Sequence, residues 1–375
     1  MQTYCKIRCG SLVLSILFFM LEACGHDGGS GGSPSPTPTS SGFVYVANFG
    51  TNDVSAFTIN TTTGGLTTVL GSPFKAGENS SSIAVDPSGQ FVYVVNVGSD
   101  NVSAFKINES TGALKPVSGS PFAAGVVPQS VAVDPSGQFV YVANQGSNNV
   151  SAFRINESTG ALTTVSGSPF AAGNQPKSAT VDPSGKFLYV VTDGVSAFTI
   201  NTSTGALTPV AGSPFDAGNG PGSVAVDPSG RFLYVVNLGS DNVSAFTINT
   251  STGALTSVAG SPFDAGNGPG SVAVDPSGRF LYVVNLGSDN VSAFTINTST
   301  GALTPVVGAP FEVGDRPHSV AVDPSGRFLY VVNLGSDSVS AFTIDTSTGA
   351  LTPVAGSPFI DVGRDPISIT TTLTP

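Results

Sequence analysis

The stretch Glu312-Val-Gly-Asp-Arg-Pro-His-Ser-Val320 sets an imidazole, a guanidinium and two carboxylates within nine residues. A histidine can take a proton from water and a nearby cation can hold a developing oxyanion, so His318 and Arg316 are the first candidates for hydrolytic chemistry. Other reactive types are scarce. The second histidine, His26, lies close to the N-terminus, and Cys5, Cys9 and Cys24 all fall within the first 24 residues. No disulfide, thiol nucleophile or haem, copper or zinc site can be assembled from what remains, so neither metal nor cofactor is expected. The recurring Gly-Ser-Asp-Asn loops carry Asp100, Asp241 and Asp289. They supply one acid each without the spacing of a calcium loop, and read as solvated turns.

What must position His318 is a repeat. Phe43, Phe91, Phe139, Phe187, Phe232, Phe280 and Phe328 each open a Phe-(Val/Leu)-Tyr-Val run, at spacings of 48, 48, 48, 45, 48 and 48 residues. Periods of this length belong to propellers and other arrays. The short copy reads VVTDGVSAF where others read VVNLGSDNVSAF, a loss of three residues from one loop. With 46 Gly, 27 Pro and no Trp, the composition is one of strands and turns. The formal net charge of −11 repels a phosphate backbone and excludes nucleic acid as a partner.

Residues 1–23 read as an export signal: Lys6 and Arg8 precede an apolar run from Ser11 to Met20, too short to span a bilayer. Leu21-Glu22-Ala23-Cys24 resembles the lipobox of bacterial lipoproteins, which implies lipidation of Cys24. Residues 24–42, rich in Gly, Ser, Pro and Thr, form a tether that cannot pack a core. The expected location is the bacterial cell envelope, outside the cytoplasm and held at a membrane by the lipid.

Within a copy, SVAVD leads into the turn Asp227-Pro-Ser-Gly230, RFLYVVN, a polar loop, VSAFTIN, a TSTG turn and a weaker strand ALTSV. This is a four-stranded antiparallel meander. FLYVV and VSAFTI are bulky on both faces, so each sheet needs cover on both sides. Sheets stacked around an axis provide it, with the small residues of SVAV at the crowded hub. Phe74, Phe122, Phe170, Phe215, Phe263, Phe311 and Phe359, from the SPF or APF tripeptides, read as plugs between blades. The first copy lacks its SVAVDPSG, and the C-terminal DPISITTTLTP supplies a final half-copy in which Ser368 aligns with Ser319. Residues 43–375 are therefore expected to be all-β, a seven-bladed propeller closed by the C-terminal strand joining the first blade.

The run RFLYVVNLGSDNVSAFTINTSTGALTPV, with its Tyr-Val-x-Asn, Val-Ser-x-Phe and Thr-Gly-x-Leu, resembles the lactonase-type seven-bladed propellers, which include bacterial 6-phosphogluconolactonases, and the YVTN repeats of surface proteins. The resemblance implies a lactone hydrolase with a Pro-Arg-His leading into the innermost strand. Aligned on Pro324, that histidine falls on Ser319 and the arginine on His318; the equivalents Ser82, Ser130, Ser178, Ser223, Ser271 and Ser368 are serines too. A family glutamate after Tyr-Val-x-Asn falls on Phe49, Val97, Gln145, Leu238, Leu286 or Leu334, none acidic.

Two readings follow. The first is a non-catalytic, lipid-anchored binding or scaffolding module, with no catalytic residue and with a protein, polysaccharide or anionic small molecule as partner. Near-identity between blades supports it, since two stretches of 25 residues from Phe198 and from Phe246 differ only at Pro209 against Ser257. The second is a lactonase using a displaced set of Lys177, Arg316 and His318. In both, the residue preceding the inner-strand serine varies: Ser81, Gln129, Lys177, Gly222, Gly270, His318, Ile367. A shallow cationic pocket over Gly222 and Gly270, flanked by Lys177, His318, Arg316 and Gln129, is the expected ligand site; drift on an exposed loop is the competing account.

Overall fold

The alternation of bulky strands with Asp-Pro-Ser-Gly and Thr-Ser-Thr-Gly turns folds as the pattern requires. The structure is a computed structural model and describes residues 42–373, all within one compact unit, Ser40–Pro375. The lipobox, Cys24, His26 and tether residues 24–41 lie outside the described residues, while Gly42, expected in the tether, opens the first strand. Seven antiparallel sheets follow one another, each a meander of four strands. In the fifth blade these are Pro221–Val226, Phe232–Asn237, Asn242–Ile248 and Leu255–Ser257. The second strands are buried at every residue, because neighbouring blades cover both faces. The fourth strands bury only their leading leucine.

The core lies between blades rather than within them. One cluster joins Phe43, Tyr45 and Ala47 of the first blade to Val92, Val94 and Phe105 of the second; burying each such Phe or Val contributes roughly 1.5–3 kcal/mol. The SPF phenylalanines pack half-buried against these clusters. Each also pairs with the valine near the start of the third strand, as Val54 with Phe74 and Val243 with Phe263.

Ring closure is explicit. Strand Pro366–Leu373 pairs antiparallel with Gly42–Asn48, with Ser368 opposite Ala47 as Ser319 is opposite Val332. The seam has its own apolar cluster, Val44, Val46 and Phe57 against Phe328, Tyr330 and Val332. A polar lock repeats seven times. The buried tyrosine of each blade donates its hydroxyl to a turn glycine carbonyl of the next, from Tyr45 to Gly112 through to Tyr330 to Gly64. That glycine sits under the preceding blade's Phe: a Cβ on Gly112 would lie 2.5 Å from the Phe43 ring. The Tyr-Val-x-Asn and Thr-Gly-x-Leu motifs are thus two halves of one contact between blades.

Candidate functional site

The innermost strands, such as Pro317–Val322, surround the axis, each neighbouring the next. An innermost strand is a sheet edge, with backbone groups facing the channel and no partner strand there. The chain meets this with serine. Ser319 Oγ accepts from Ile369 N–H, Ser368 from Ile83, Ser82 from Val131 and Ser130 from Ala179, at 3.1–3.4 Å. Four of the seven serines that stand at the family's histidine position therefore link one blade to the next, while Ser178, Ser223 and Ser271 make no such bond among the described residues.

The varying residue beside the serine occupies a β-bulge in six blades; in the fourth, Lys177 precedes a strand that pairs without a register shift. Pro317 pairs with Asn333 and Ser319 with Val332, leaving His318 between them without a partner; Gln129, Gly222 and Gly270 sit likewise. Bulges re-aim the side chain they carry. His318 Nδ1–H donates to Ile367 O of the first blade's inner strand at 2.8 Å, across the seam. Burial holds its pKa below the ordinary 6.5, and the Arg316 charge adds to this against the opposing effect of the Ile367 carbonyl. The ring is neutral at neutral pH. Its Nε2 has no hydrogen-bond partner among the described residues and is not one of the fully buried unpaired atoms, which are the Oδ1 atoms of Asn48, Asn285 and Asn333.

The other expected residues divide. Gly222 lies open: the nearest atom to a Cβ there is Gly270 O at 3.9 Å. Above Gly270 the space is taken by Leu286, whose Cδ1 would lie 2.1 Å from a Cβ. Gln129 Nε2 donates to Gln145 Oε1 at 3.2 Å. Lys177 is half-buried, with its backbone N–H on Val191 O. Arg316 is exposed at φ 50°, its N–H held by Asp289 Oδ1 at 2.7 Å. The structure brings His318 against Ile367 and leaves the opening over Gly222. Among the described residues, no three His, Cys, Asp or Glu side chains are grouped to hold a metal ion.

Sequence reasoning missed the work of the polar loops. The loop aspartates and asparagines do more than turn: Asn52, Asp100, Asn148, Asp241, Asp289 and Asp337 each accept from a backbone N–H of the crossing to the next blade at 2.7–2.8 Å. The asparagine of Tyr-Val-x-Asn is buried and donates to the third strand, as Asn237 does to Asn242 and Ser244. In the short blade Thr192 takes the asparagine's place and an acid, Asp193, follows it. The position after the second strand is therefore acidic in that one blade, a signal visible once the short copy is aligned. Asp193 accepts from Asn174 Nδ2 at 3.1 Å.

A family model, "Lactonase, 7-bladed beta-propeller", matches residues 38–175, 129–214 and 171–363. No curated protein sequence matches. Among solved structures, a Bacteroides fragilis protein provisionally named a 6-phosphogluconolactonase is 24% identical with a TM-score of 0.76, covering 90% of this chain and 99% of its own. A Pseudomonas aeruginosa periplasmic gluconolactonase, PpgL, is 19% identical with a TM-score of 0.76, covering 90% and 100%. Citrobacter koseri AztD is more distant, 12% identical with a TM-score of 0.58, covering 89% and 99%. These likenesses establish the shared fold.

Proposed function

Because the chain belongs to the lactonase family of seven-bladed β-propellers, we propose that it hydrolyses a sugar-acid lactone at the channel mouth over Gly222, with His318 as the base. The observation that carries this reading is the state of His318: neutral, oriented through Nδ1, and with no hydrogen-bond partner for Nε2 among the described residues. In the proposed reaction Nε2 takes a proton from water as the water oxygen attacks the lactone carbonyl. The tetrahedral oxyanion then expels the ring oxygen, which receives that proton from the imidazolium, and the product is the open hydroxy acid. Lys177 and Arg316 supply positive charge for the oxyanion and for the acid product. The expected export signal and Cys24 lipobox support a location outside the cytoplasm, at a membrane, and favour an unphosphorylated lactone.

The test is acid release from a panel of aldonolactones, measured above spontaneous hydrolysis. Turnover by the wild type that the Lys177→Ala/His318→Ala double variant lacks supports the reading; equal rates for both proteins reject it. A second reading, a non-catalytic binding module displaying repeated blade surfaces to a polymer or protein, is favoured by one observation. Four of the seven serines at the family's histidine position are engaged between blades. A wild type without lactonase activity that is crosslinked to one reproducible envelope component supports that reading instead.

A further inference from the structure

The three residues missing from the fourth blade leave a hole. A cavity of about 310 Å³ lies where the other blades carry their Gly-Ser-Asp loop, lined by Gly173, Asn174, Thr192, Asp193, Phe198, Pro209, Phe215 and Asp216 among others. Its chemistry differs from every other blade in a way that can be read off the hydrogen bonds. At the six other crossings the equivalent glycine N–H is capped by a side chain: Gly77, Gly125 and Gly218 by asparagines, Gly266, Gly314 and Gly363 by serines. At five of them the next N–H is capped by the loop serine, as Glu78 is by Ser99. In the fourth blade neither cap forms: Thr192 replaces the asparagine, Ser196, the equivalent of the capping Ser292, Ser340 and Ser55, bonds Thr192 rather than Gly173 N–H, and the loop serine is deleted. The N–H groups of Gly173 and Asn174 have no partner among the described residues.

The cavity wall therefore carries two adjacent backbone N–H groups without a protein partner, on the exposed residues Gly173 and Asn174, with carboxylates on Asp193 and Asp216 and an apolar surface from Phe215, Pro209 and the buried Phe198. An anion would meet the donors but be repelled by two carboxylates. An ammonium group would suit the carboxylates and leave both N–H groups unmatched. A ligand that accepts and donates from neighbouring atoms while presenting an apolar face satisfies all three, and a neutral sugar ring has that pattern. We propose that the cavity of the fourth blade is a binding site for a single neutral sugar residue, separate from the channel mouth. The volume, at the lower end of the roughly 300–1,000 Å³ typical of ligand pockets, suits one ring rather than a chain.

The test uses saturation-transfer NMR and calorimetry on the full chain with D-glucose, D-galactose, D-mannose, N-acetyl-D-glucosamine and their methyl glycosides. At least one is expected to bind. Replacing Thr192-Asp193-Gly194 by the six residues found at 237–242 rebuilds the loop present elsewhere in the ring and is expected to weaken that sugar at least about tenfold, an effect of about 1.4 kcal/mol. Asp193→Ala, which keeps the chain length, is expected to weaken it by a similar factor. Lys177→Ala/His318→Ala is expected to leave sugar binding unchanged, so loss of the lactonase reading and loss of this one are separable. The proposal is overturned if no sugar binds at about 10 mM, where sites weaker than about −3 kcal/mol go undetected, if the rebuilt loop binds as well as the wild type, or if butylammonium or acetate binds in preference.

Discussion

Closure of the ring can be interrogated through one atom. Tyr330 Oη donates to Gly64 O at 2.9 Å, linking residues 266 apart in the chain across the seam. Tyr330 is fully buried and Gly64 is buried as well. Burial also pushes the phenol pKa well above its ordinary value, so the hydroxyl stays protonated and remains a donor. Tyr330→Phe keeps the ring shape and removes only the donor. An unmatched buried carbonyl costs about 1–3 kcal/mol, so about 2 kcal/mol is expected here. With a urea m-value of at least about 3 kcal/mol/M for a domain of this size, the unfolding midpoint should fall by about 0.5 M. Circular dichroism is the suitable probe, since the chain has no Trp. Tyr93→Phe, which breaks the same bond to Gly160 at 3.1 Å inside the ring, is the internal reference and should lose a similar amount. A midpoint unchanged in Tyr330→Phe beside a clear fall in Tyr93→Phe would mean the seam is open. No fall in either would refute the assignment of energetic weight to these bonds.

Three further outcomes follow from the same contacts. His318 has a folded pKa below 6.5, so between that value and 6.5 the unfolded chain binds more protons; stability should be full above pH 6.5 and decline as pH falls through this window, with His318→Gln flattening the decline in pH-dependent urea titrations. In the sixth blade Ala309 stands where six others have the serine that accepts from a buried third-strand N–H, as Ser261 does from Ala245. Ala309→Ser should give Ala293 N–H its acceptor and raise stability by about 1 kcal/mol, read as a higher urea midpoint. Val127 holds φ 53°, a region hostile to a β-branched side chain, where the equivalent crossings use Gly220 and Gly268. Val127→Gly should therefore stabilise by about 1 kcal/mol once relief of strain is set against glycine's backbone entropy, and a lower melting temperature would contradict this.

The candidate site was legible only in part. That His318, Gly222 and Gly270 occupy equivalent places followed from aligning the repeats. The bulge that carries them, the Leu286 side chain over Gly270 and the Ile367 carbonyl under the imidazole did not, since each depends on a neighbour from another strand or blade. The loop aspartates read as solvated turns for a similar reason: the N–H that Asp100 caps belongs to Val127, 27 residues on. Asp193 was readable but obscured, because the deletion shifts the short copy out of register with the other six.

The repeat by itself determined the strands, their two-sided burial, the number of blades and the half-copies that meet at the seam. Those properties are set by local turn chemistry and by side-chain size along the chain, which a linear pattern records. Only the tertiary structure decided that four hub serines bond from blade to blade, that His318 is neutral with Nδ1 held by Ile367, and that the short loop leaves two N–H groups without a protein partner beside a cavity. Hydrogen-bond satisfaction and desolvation depend on atoms brought together from separate blades, and spacing along one blade carries no trace of them.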